Sequence, residues 1–100
     1  MVKEEAIRVY TKFFATIREI TGKPQDTLQL SPRSTVKDFL KELSNRYGKK
    51  LSDHILDGKG GLRESLSLLV NGQAIDLTKL AITELKEGDL VVILPPIGGG

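Results

Sequence analysis

The residues best placed to do chemistry are at the end of the chain. Residues 95–100 read Pro-Pro-Ile-Gly-Gly-Gly and follow a short apolar run, Leu90–Leu94. Proline cannot donate a hydrogen bond to a strand ladder, so pairing is expected to stop there and the chain to leave the sheet as a stiff extended piece. The glycines then carry the terminal carboxylate on an arm without side chains, thin enough to thread a narrow channel. We therefore place the chemistry on the carboxylate of Gly100, with Gly98 and Gly99 as the threading residues.

The residues just before the glycines are suited to docking. Ile97 is an apolar residue on an otherwise bare arm, which suits an anchor in the pocket of a partner, and Pro95 and Pro96 would hold it away from the body. The alternative is that residues 95–100 are a disordered end or a cloning remnant. The conjunction of apolar strand, double proline, isoleucine and glycines favours function.

Other sources of chemistry are few. The chain has no cysteine and one histidine, His54, which excludes disulfides, thiolate zinc sites and cysteine nucleophiles and disfavours a Ser-His-Asp triad. Residues 57–61, Asp-Gly-Lys-Gly-Gly, lack the ending of a phosphate-binding loop and are interpreted as a flexible loop. We expect no metal, no bound cofactor and no catalytic residue of the chain's own.

Length and composition indicate one small domain. The chain has 100 residues, 39% of them hydrophobic and 28% charged, with a formal net charge of +2. Positive and negative side chains are interleaved, which is typical of a solvated surface rather than a nucleic-acid interface. The sequence begins with polar residues and contains no apolar run of membrane-spanning length. We therefore expect a cytoplasmic protein that binds neither nucleic acid nor membrane.

The hydrophobic pattern predicts an alternation of strands with one good helix. Alternating residues predict strands over residues 6–14 and 26–30, separated by a short helical turn over residues 15–21. Residues 49–65 are polar and glycine-rich and are predicted to be a long loop. Strands follow over 66–70 and 73–76, joined by a type I′ turn at Asn71-Gly72, and a last apolar strand covers 90–94.

The helix prediction rests on a single apolar stripe. Five residues at i, i+3, i+4, i+7 and i+11 share one face: Val36, Phe39, Leu40, Leu43 and Tyr47. Thr35 is expected to cap the helix, with Asp38 near the positive end of its dipole, and Gly48 to end it. Glu42 and Arg46 are spaced for an ion pair on the solvent side.

These elements predict an α+β fold of the ubiquitin-like β-grasp type, a mixed sheet curled around one main helix. The continuously apolar last strand is expected to lie in the centre of the sheet, beside the first strand. Val91 and Ile93 face one side of the last strand and Val92 and Leu94 the other, and one helix can shield only one of these pairs. We therefore predict an uncovered apolar surface on one side of the sheet, with Leu69 as a docking residue. The alternative is that residues 49–65 cover it. We expect one domain over residues 1–94, frayed over 1–5, and a flexible tail over 95–100.

The chain resembles the ThiS/MoaD family of ubiquitin-like sulfur carriers, most closely the small subunit of molybdopterin synthase. The resemblance covers residues 7–100. Its motifs are the residues 13–15 and 17–22 after the first strand, the Thr35-capped helix, residues 69–72 (Leu-Val-Asn-Gly), residues 85–89 (Leu-Lys-Glu-Gly-Asp) and residues 94–97 with the glycines. The double proline is more similar to MoaD than to ThiS.

The resemblance implies a carrier whose catalytic groups belong to its partners. An activating enzyme would use ATP to adenylate the terminal glycine, and a sulfur donor would displace AMP and leave a thiocarboxylate. The tail would then enter the large synthase subunit and donate sulfur for the dithiolene of molybdopterin. Family members generally end in two glycines, whereas this chain has three, so Gly99 after removal of one residue is the alternative to Gly100 as the acceptor.

Two other functions compete with sulfur transfer. A protein modifier similar to the archaeal small modifier proteins would use the same activated glycine to form isopeptide bonds with lysines, or would act in tRNA thiolation. A plain β-grasp interaction module would have no tail chemistry. A ferredoxin is excluded because the chain has no cysteine.

Overall fold

The computed structural model describes residues 5–96 of the chain. Its regular elements, in chain order, are β1 (Ile7–Lys12), α1 (Ala15–Thr21), β2 (Gln25–Leu30), α2 (Val36–Tyr47), α3 (Lys49–Ile55), β3 (Ser67–Val70), β4 (Gln73–Ala74), a 3₁₀ turn (Leu77–Lys79) and β5 (Leu90–Leu94). The predicted domain of residues 1–94 and tail of 95–100 remain predictions, since residues 1–4 and 97–100 lie outside the described part.

The sheet is mixed, with five strands in the order β2-β1-β5-β3-β4. β5 runs parallel to β1 and antiparallel to β3, and β1 and β2 are antiparallel. The continuously apolar strand therefore lies in the centre, as predicted. Asn71 and Gly72 both have positive φ, +52° and +83°, which confirms the type I′ turn between β3 and β4. The last strand has the predicted bounds, and the ends of the other four strands differ from the prediction by at most two residues.

Helix α2 begins with the predicted cap. The side chain of Thr35 accepts a hydrogen bond from the Asp38 N–H (3.3 Å), and Asp38 Oδ2 accepts one from the Thr35 N–H (2.8 Å). This reciprocal pair is a capping box. Val36, Phe39, Leu40 and Leu43 are almost completely buried against the inner face of the sheet, so the apolar stripe was interpreted correctly.

The prediction of a loop over residues 49–65 was wrong for its first part. Residues 49–55 form α3, which packs against α1 and α2, and its Leu51 and Ile55 are fully buried. A gap of four residues places both side chains on one helix face, but a helix of two turns has almost no independent stability. Tertiary burial, rather than local sequence, therefore makes this helix.

The expected Glu42–Arg46 ion pair is replaced by a contact between elements. Arg46 Nη1 donates to Asp26 Oδ2 at 3.1 Å, and the Tyr47 hydroxyl donates to the same oxygen in a short hydrogen bond. Lys23 Nζ lies 3.6 Å from that oxygen. The end of α2 is thereby joined to the beginning of β2, and we call Asp26, Arg46 and Tyr47 the β2–α2 clamp.

Candidate functional site

The tail leaves the body from the central strand. β5 ends at Leu94, and Pro95 and Pro96, the tail root, lie exposed beyond it. Of the residues singled out in the tail, Ile97, Gly98, Gly99 and Gly100 lie outside the described residues, so their roles remain predictions.

A groove of about 460 Å³ lies beside the tail root. It is formed where the connection from β1 to α1, helix α3, the segment before β3 and the tail root meet. We call it the root groove, and its wall includes Phe14, His54, Arg63, Leu66, Pro95 and Pro96. Four segments far apart in sequence thus converge at the point where the tail leaves.

The apolar part of the root groove depends on one exposed aromatic ring. Phe14 is 42% exposed, whereas its neighbour Phe13 is 3% exposed and belongs to the core. The two rings point to opposite sides because Phe14 is still extended. Ala15 follows with φ of +50°, a left-handed conformation that is unusual for a residue other than glycine. The strand alternation indicated that Phe14 points away from the core, but not that it borders a groove.

The polar part of the root groove carries positive charge. Arg63 donates through Nε (3.2 Å) and Nη2 (2.7 Å) to the backbone carbonyl of Asp53, near the end of α3. The Asp53 carboxylate is itself paired with Lys49 Nζ at 2.6 Å. In the part of the chain from residue 5 to 96, no carboxylate forms an ion pair with Arg63. The sequence did not indicate a role for Arg63, because its position beside the tail root depends on its hydrogen bonds to the Asp53 carbonyl on α3.

A second candidate surface is the outer face of the sheet. On this face the strand register places Lys12 beside Val92, Val92 beside Leu69, and Leu69 beside Ala74. Tyr10 lies beside Leu90 on the same face. The buried residues Thr11, Val91 and Leu68 lie on the opposite face. We call Tyr10, Leu69, Leu90, Val92 and Leu94 the open sheet face. Tyr10 is 40% exposed, and the other four are half-buried.

Residues 49–65 lie on the other side of the sheet. Leu51, Ile55 and Leu62 from this segment join the core with α2, and Gly60 lies close to the side chain of Lys37 on that helix. The alternative in which the segment covers the open sheet face is therefore not what the structure shows. The predicted docking residue Leu69 lies at the centre of that face, beside Val92.

The remaining sequence motif has a structural role. Asp57 Oδ1 accepts hydrogen bonds from the backbone N–H groups of Lys59 (2.7 Å) and Gly61 (3.1 Å). These bonds, first of all the one from Lys59, lower the pKa of the Asp57 carboxyl. The backbone N–H groups of Lys59 and Gly61 are thus bonded to an aspartate of the same loop rather than available to a phosphate.

Within residues 5–96, no cluster of three or more histidine, aspartate or glutamate side chains could hold a metal ion. Among the helices in that same range, none has both the length and the apolar character needed to span a membrane.

Comparison with known families gives a match over most of the chain. The model of the ThiS family matches residues 11–100, a range that begins near the end of β1 and includes the residues of the root groove and residues 95–100.

The relatives carry two kinds of name. Small archaeal modifier protein 3 of Haloferax volcanii is 32% identical over 89% of this chain and 95% of its own length. The molybdopterin synthase sulfur carrier subunit of Drosophila melanogaster is 30% identical over 94% of this chain and 92% of its own. The crystal structure of the small archaeal modifier protein SAMP1 from Haloferax volcanii superimposes with a TM-score of 0.79 at 26% identity, covering 93% of this chain and 99% of the other.

The fold of these neighbours is the ubiquitin-like β-grasp, as predicted from the element order. The family match and the two relatives are consistent with this fold. The chain therefore belongs to the ThiS family of ubiquitin-like sulfur carriers and modifiers.

Proposed function

We propose that this protein is a sulfur carrier for molybdopterin synthesis, acting as the small subunit of molybdopterin synthase. The carboxylate of Gly100 attacks the α-phosphate of ATP on an activating enzyme, and pyrophosphate leaves. A sulfur donor then displaces AMP from the acyl-adenylate and leaves a thiocarboxylate. The large synthase subunit receives the tail and transfers its sulfur to the pterin precursor. ATP is used by the enzyme and is not a cofactor of the carrier.

The observation that carries this proposal is the position of the tail root. The central strand β5 ends at an exposed Pro95-Pro96 pair, and the family match continues to residue 100. Because neither proline can donate a hydrogen bond to a ladder, strand pairing ends at the tail root, and a partner can reach the tail root without unfolding the domain.

The chain itself is proposed to bind and present rather than catalyse. His54, the only histidine within residues 5–96, makes no hydrogen bond to a carboxylate there, so proton transfer and leaving-group activation are assigned to the partners. Its own contribution is to bring one carboxylate into another active site, which reduces the entropic cost of the reaction.

The partners are proposed to dock on the open sheet face. Leu94 of this face directly precedes Pro95, so a protein that receives the tail also reaches Leu94, Val92 and Leu69. An apolar surface next to the reacting terminus gives an enzyme binding energy that does not depend on the glycines.

Intact-mass measurement on protein purified from its own host tests sulfur carriage. We expect a population heavier by the difference between one sulfur and one oxygen atom, and we expect fragmentation to place it on the C-terminal residue. The same spectrum decides between Gly100 and Gly99 as the mature terminus. If the protein is never thiolated, even with the cognate activating enzyme, ATP and a sulfur donor, the proposal fails.

The second candidate function is protein modification. The 32% identity with an archaeal modifier favours it, because modifier and carrier share the activation step and differ only in the acceptor. A ladder of lysine-linked conjugates in host extract, without thiocarboxylate, would identify a modifier. Loss of molybdoenzyme activity on deletion, restored by the full chain but not by one lacking residues 99–100, would identify the carrier. Retention of function by that truncated chain would leave a plain interaction module.

A further inference from the structure

Strand β2 lies at the edge of the sheet, because β1 is its only neighbour. The Tyr10 N–H donates to the Asp89 carbonyl beside β5 at 2.8 Å, so the residues on either side of Tyr10 direct their backbone groups toward β2. Their partners in the register, Asp26 and Leu28, direct their own backbone groups back toward β1. The residues of β2 whose N–H and carbonyl groups point away from the sheet are therefore Gln25, Thr27 and Gln29.

The β2–α2 clamp occupies the outward groups in the middle of this edge. The Thr27 N–H donates to Asp26 Oδ1 at 2.8 Å, and Arg46 Nη1 donates to the Thr27 carbonyl at 3.4 Å. The Tyr47 hydroxyl bonds to the other carboxylate oxygen of Asp26 and fixes its position. Within residues 5–96, no group bonds to the outward N–H or carbonyl groups of the other two edge residues. The edge is thus closed at its middle residue and open on either side.

This edge is self-complementary in a two-fold arrangement. When a second copy lies antiparallel with Thr27 opposite Thr27, Gln25 of each copy is opposite Gln29 of the other. Each such pair can exchange N–H and carbonyl groups, which is the pattern of an antiparallel ladder. The side chains that meet are exposed and uncharged, so no like charges oppose each other. A two-fold contact needs only this one patch on each copy.

We propose that the edge of β2 is a binding surface for a second copy of this chain, and that the β2–α2 clamp keeps this surface closed. An unpaired strand edge binds another strand through main-chain hydrogen bonds. The ladder between two copies is centred on Thr27, so it forms only after the Thr27 N–H leaves Asp26 and the Thr27 carbonyl leaves Arg46. The clamp thereby keeps the folded chain monomeric.

This inference does not depend on the proposed function. Strand β1 separates β2 from β5, so two copies paired through β2 keep their tail roots and open sheet faces uncovered. The test below uses the isolated protein without enzyme or ATP, so its failure leaves the intact-mass experiment unaffected.

The double variant Asp26→Ala/Tyr47→Phe opens the edge. The first change frees the Thr27 N–H, and the second avoids leaving the half-buried Tyr47 hydroxyl without a partner. Tyr47→Phe alone is the matched control, because it keeps the bond between Asp26 and Thr27. Analytical ultracentrifugation over a range of concentrations measures the mass. We expect the double variant to reach twice the mass of the monomer reversibly, while the wild type and Tyr47→Phe remain monomeric.

Thr27→Pro, added to the double variant, locates the contact. Proline removes the outward N–H and costs no hydrogen bond to β1, and it is tolerated at such a position of an edge strand. We expect the triple variant to be monomeric. The proposal is overturned if the folded double variant stays monomeric at its highest soluble concentration. It is also overturned if the dimer survives Thr27→Pro, because the copies would then pair elsewhere.

Amide hydrogen exchange of the wild-type protein tests the closed edge without any substitution. After correction for intrinsic rates, the Thr27 N–H should exchange about fivefold more slowly than those of Gln25 and Gln29, the factor expected for one net hydrogen bond. Equal rates at the three residues would show that the clamp does not close the edge, and would overturn the proposal even if the double variant failed to fold.

Discussion

The addition of one methyl group at Gly99 is expected to slow the activation of the carrier. The proposed channel of an activating enzyme admits residues without Cβ, so Gly99→Ala should fold normally and be adenylated more slowly. A misplacement of about 1 Å at a reacting centre can cost on the order of a hundredfold in rate. Pyrophosphate release by the cognate enzyme measures the rate, and unchanged circular dichroism shows that the fold is intact. Adenylation at the wild-type rate would contradict the threading role of Gly99.

Asn71 shows how one turn residue can serve two elements. Its positive φ allows the turn between β3 and β4, and its side chain also reaches the beginning of β5. Asn71 Oδ1 accepts from the Leu90 N–H at 2.9 Å, and Nδ2 donates to Asp89 Oδ1 at 2.9 Å. The residue thereby connects the turn to the central strand that leads to the tail.

These contacts predict the effect of Asn71→Gly. Glycine keeps the backbone conformation and loses both side-chain hydrogen bonds, so we expect a loss of about 1–2 kcal/mol in the free energy of unfolding. Gly72→Ala is the matched comparison: its added Cβ meets no atom within 4 Å, and its expected cost of about 1 kcal/mol comes from φ of +83° alone. Urea unfolding of both variants measures the difference. Asn71→Gly as stable as wild type would show that the side-chain bonds contribute nothing.

At the scale of elements, the β2–α2 clamp is the polar contact between the sheet and its main helix. Burial disfavours the charged form of Asp26, but hydrogen bonds from Tyr47, the Thr27 N–H and Arg46 outweigh it and lower the pKa of this carboxyl below 3.8. Burial, together with the bond to Asp26, raises the pKa of the Tyr47 hydroxyl, which therefore remains a donor at neutral pH.

The clamp predicts that the contribution of Asp26 to the free energy of unfolding is lost as pH falls. Because the pKa of Asp26 is lower in the folded than in the unfolded chain, its stabilisation is complete above the unfolded value and is lost as pH falls through the folded one. Asp26→Asn should therefore cost about 1–2 kcal/mol at pH 7 and much less near pH 2. Urea unfolding at both pH values measures this, with Asp53→Asn, in an exposed ion pair, as control. An equal loss at both pH values would show that the charge of Asp26 is not the cause.

For the whole molecule, the arrangement of the two candidate surfaces matters more than either one alone. The open sheet face and the root groove both border the tail root, one through Leu94 and the other through Pro95. A partner that docks on the sheet can therefore receive the tail while the domain stays folded. The fold provides this because β5 lies in the centre of the sheet and ends at the tail.

Leu69→Asp tests the docking surface. A charge at the centre of the open sheet face should weaken binding to the activating enzyme at least tenfold, since central apolar contacts contribute most of the binding energy. Ile82→Asp is the control, because Ile82 is 76% exposed and does not belong to that face. Titration calorimetry measures both affinities, and a fold check by circular dichroism accompanies them. Equal affinities for the two variants would place the interface elsewhere.

The sequence alone was sufficient to predict the features that a short local pattern determines. Thr35 and Asp38 predicted the beginning of α2, Asn71-Gly72 predicted the turn, and the uninterrupted apolar run predicted a central strand. The end of the last strand at Leu94 was also predicted from sequence, because Pro95 and Pro96 cannot continue a ladder whatever surrounds them. Each of these signals is complete within a few residues.

Only the tertiary structure decided what depends on contacts between distant residues. Helix α3 forms because the core buries Leu51 and Ile55, and Arg46 pairs with Asp26 rather than Glu42 because β2 lies beside α2. The root groove exists because α3 carries Asp53 and His54, and brings Arg63 with them, to the exit of the tail. No local pattern specifies such a meeting of segments, since their free energy comes from burial that exists only once the chain has folded.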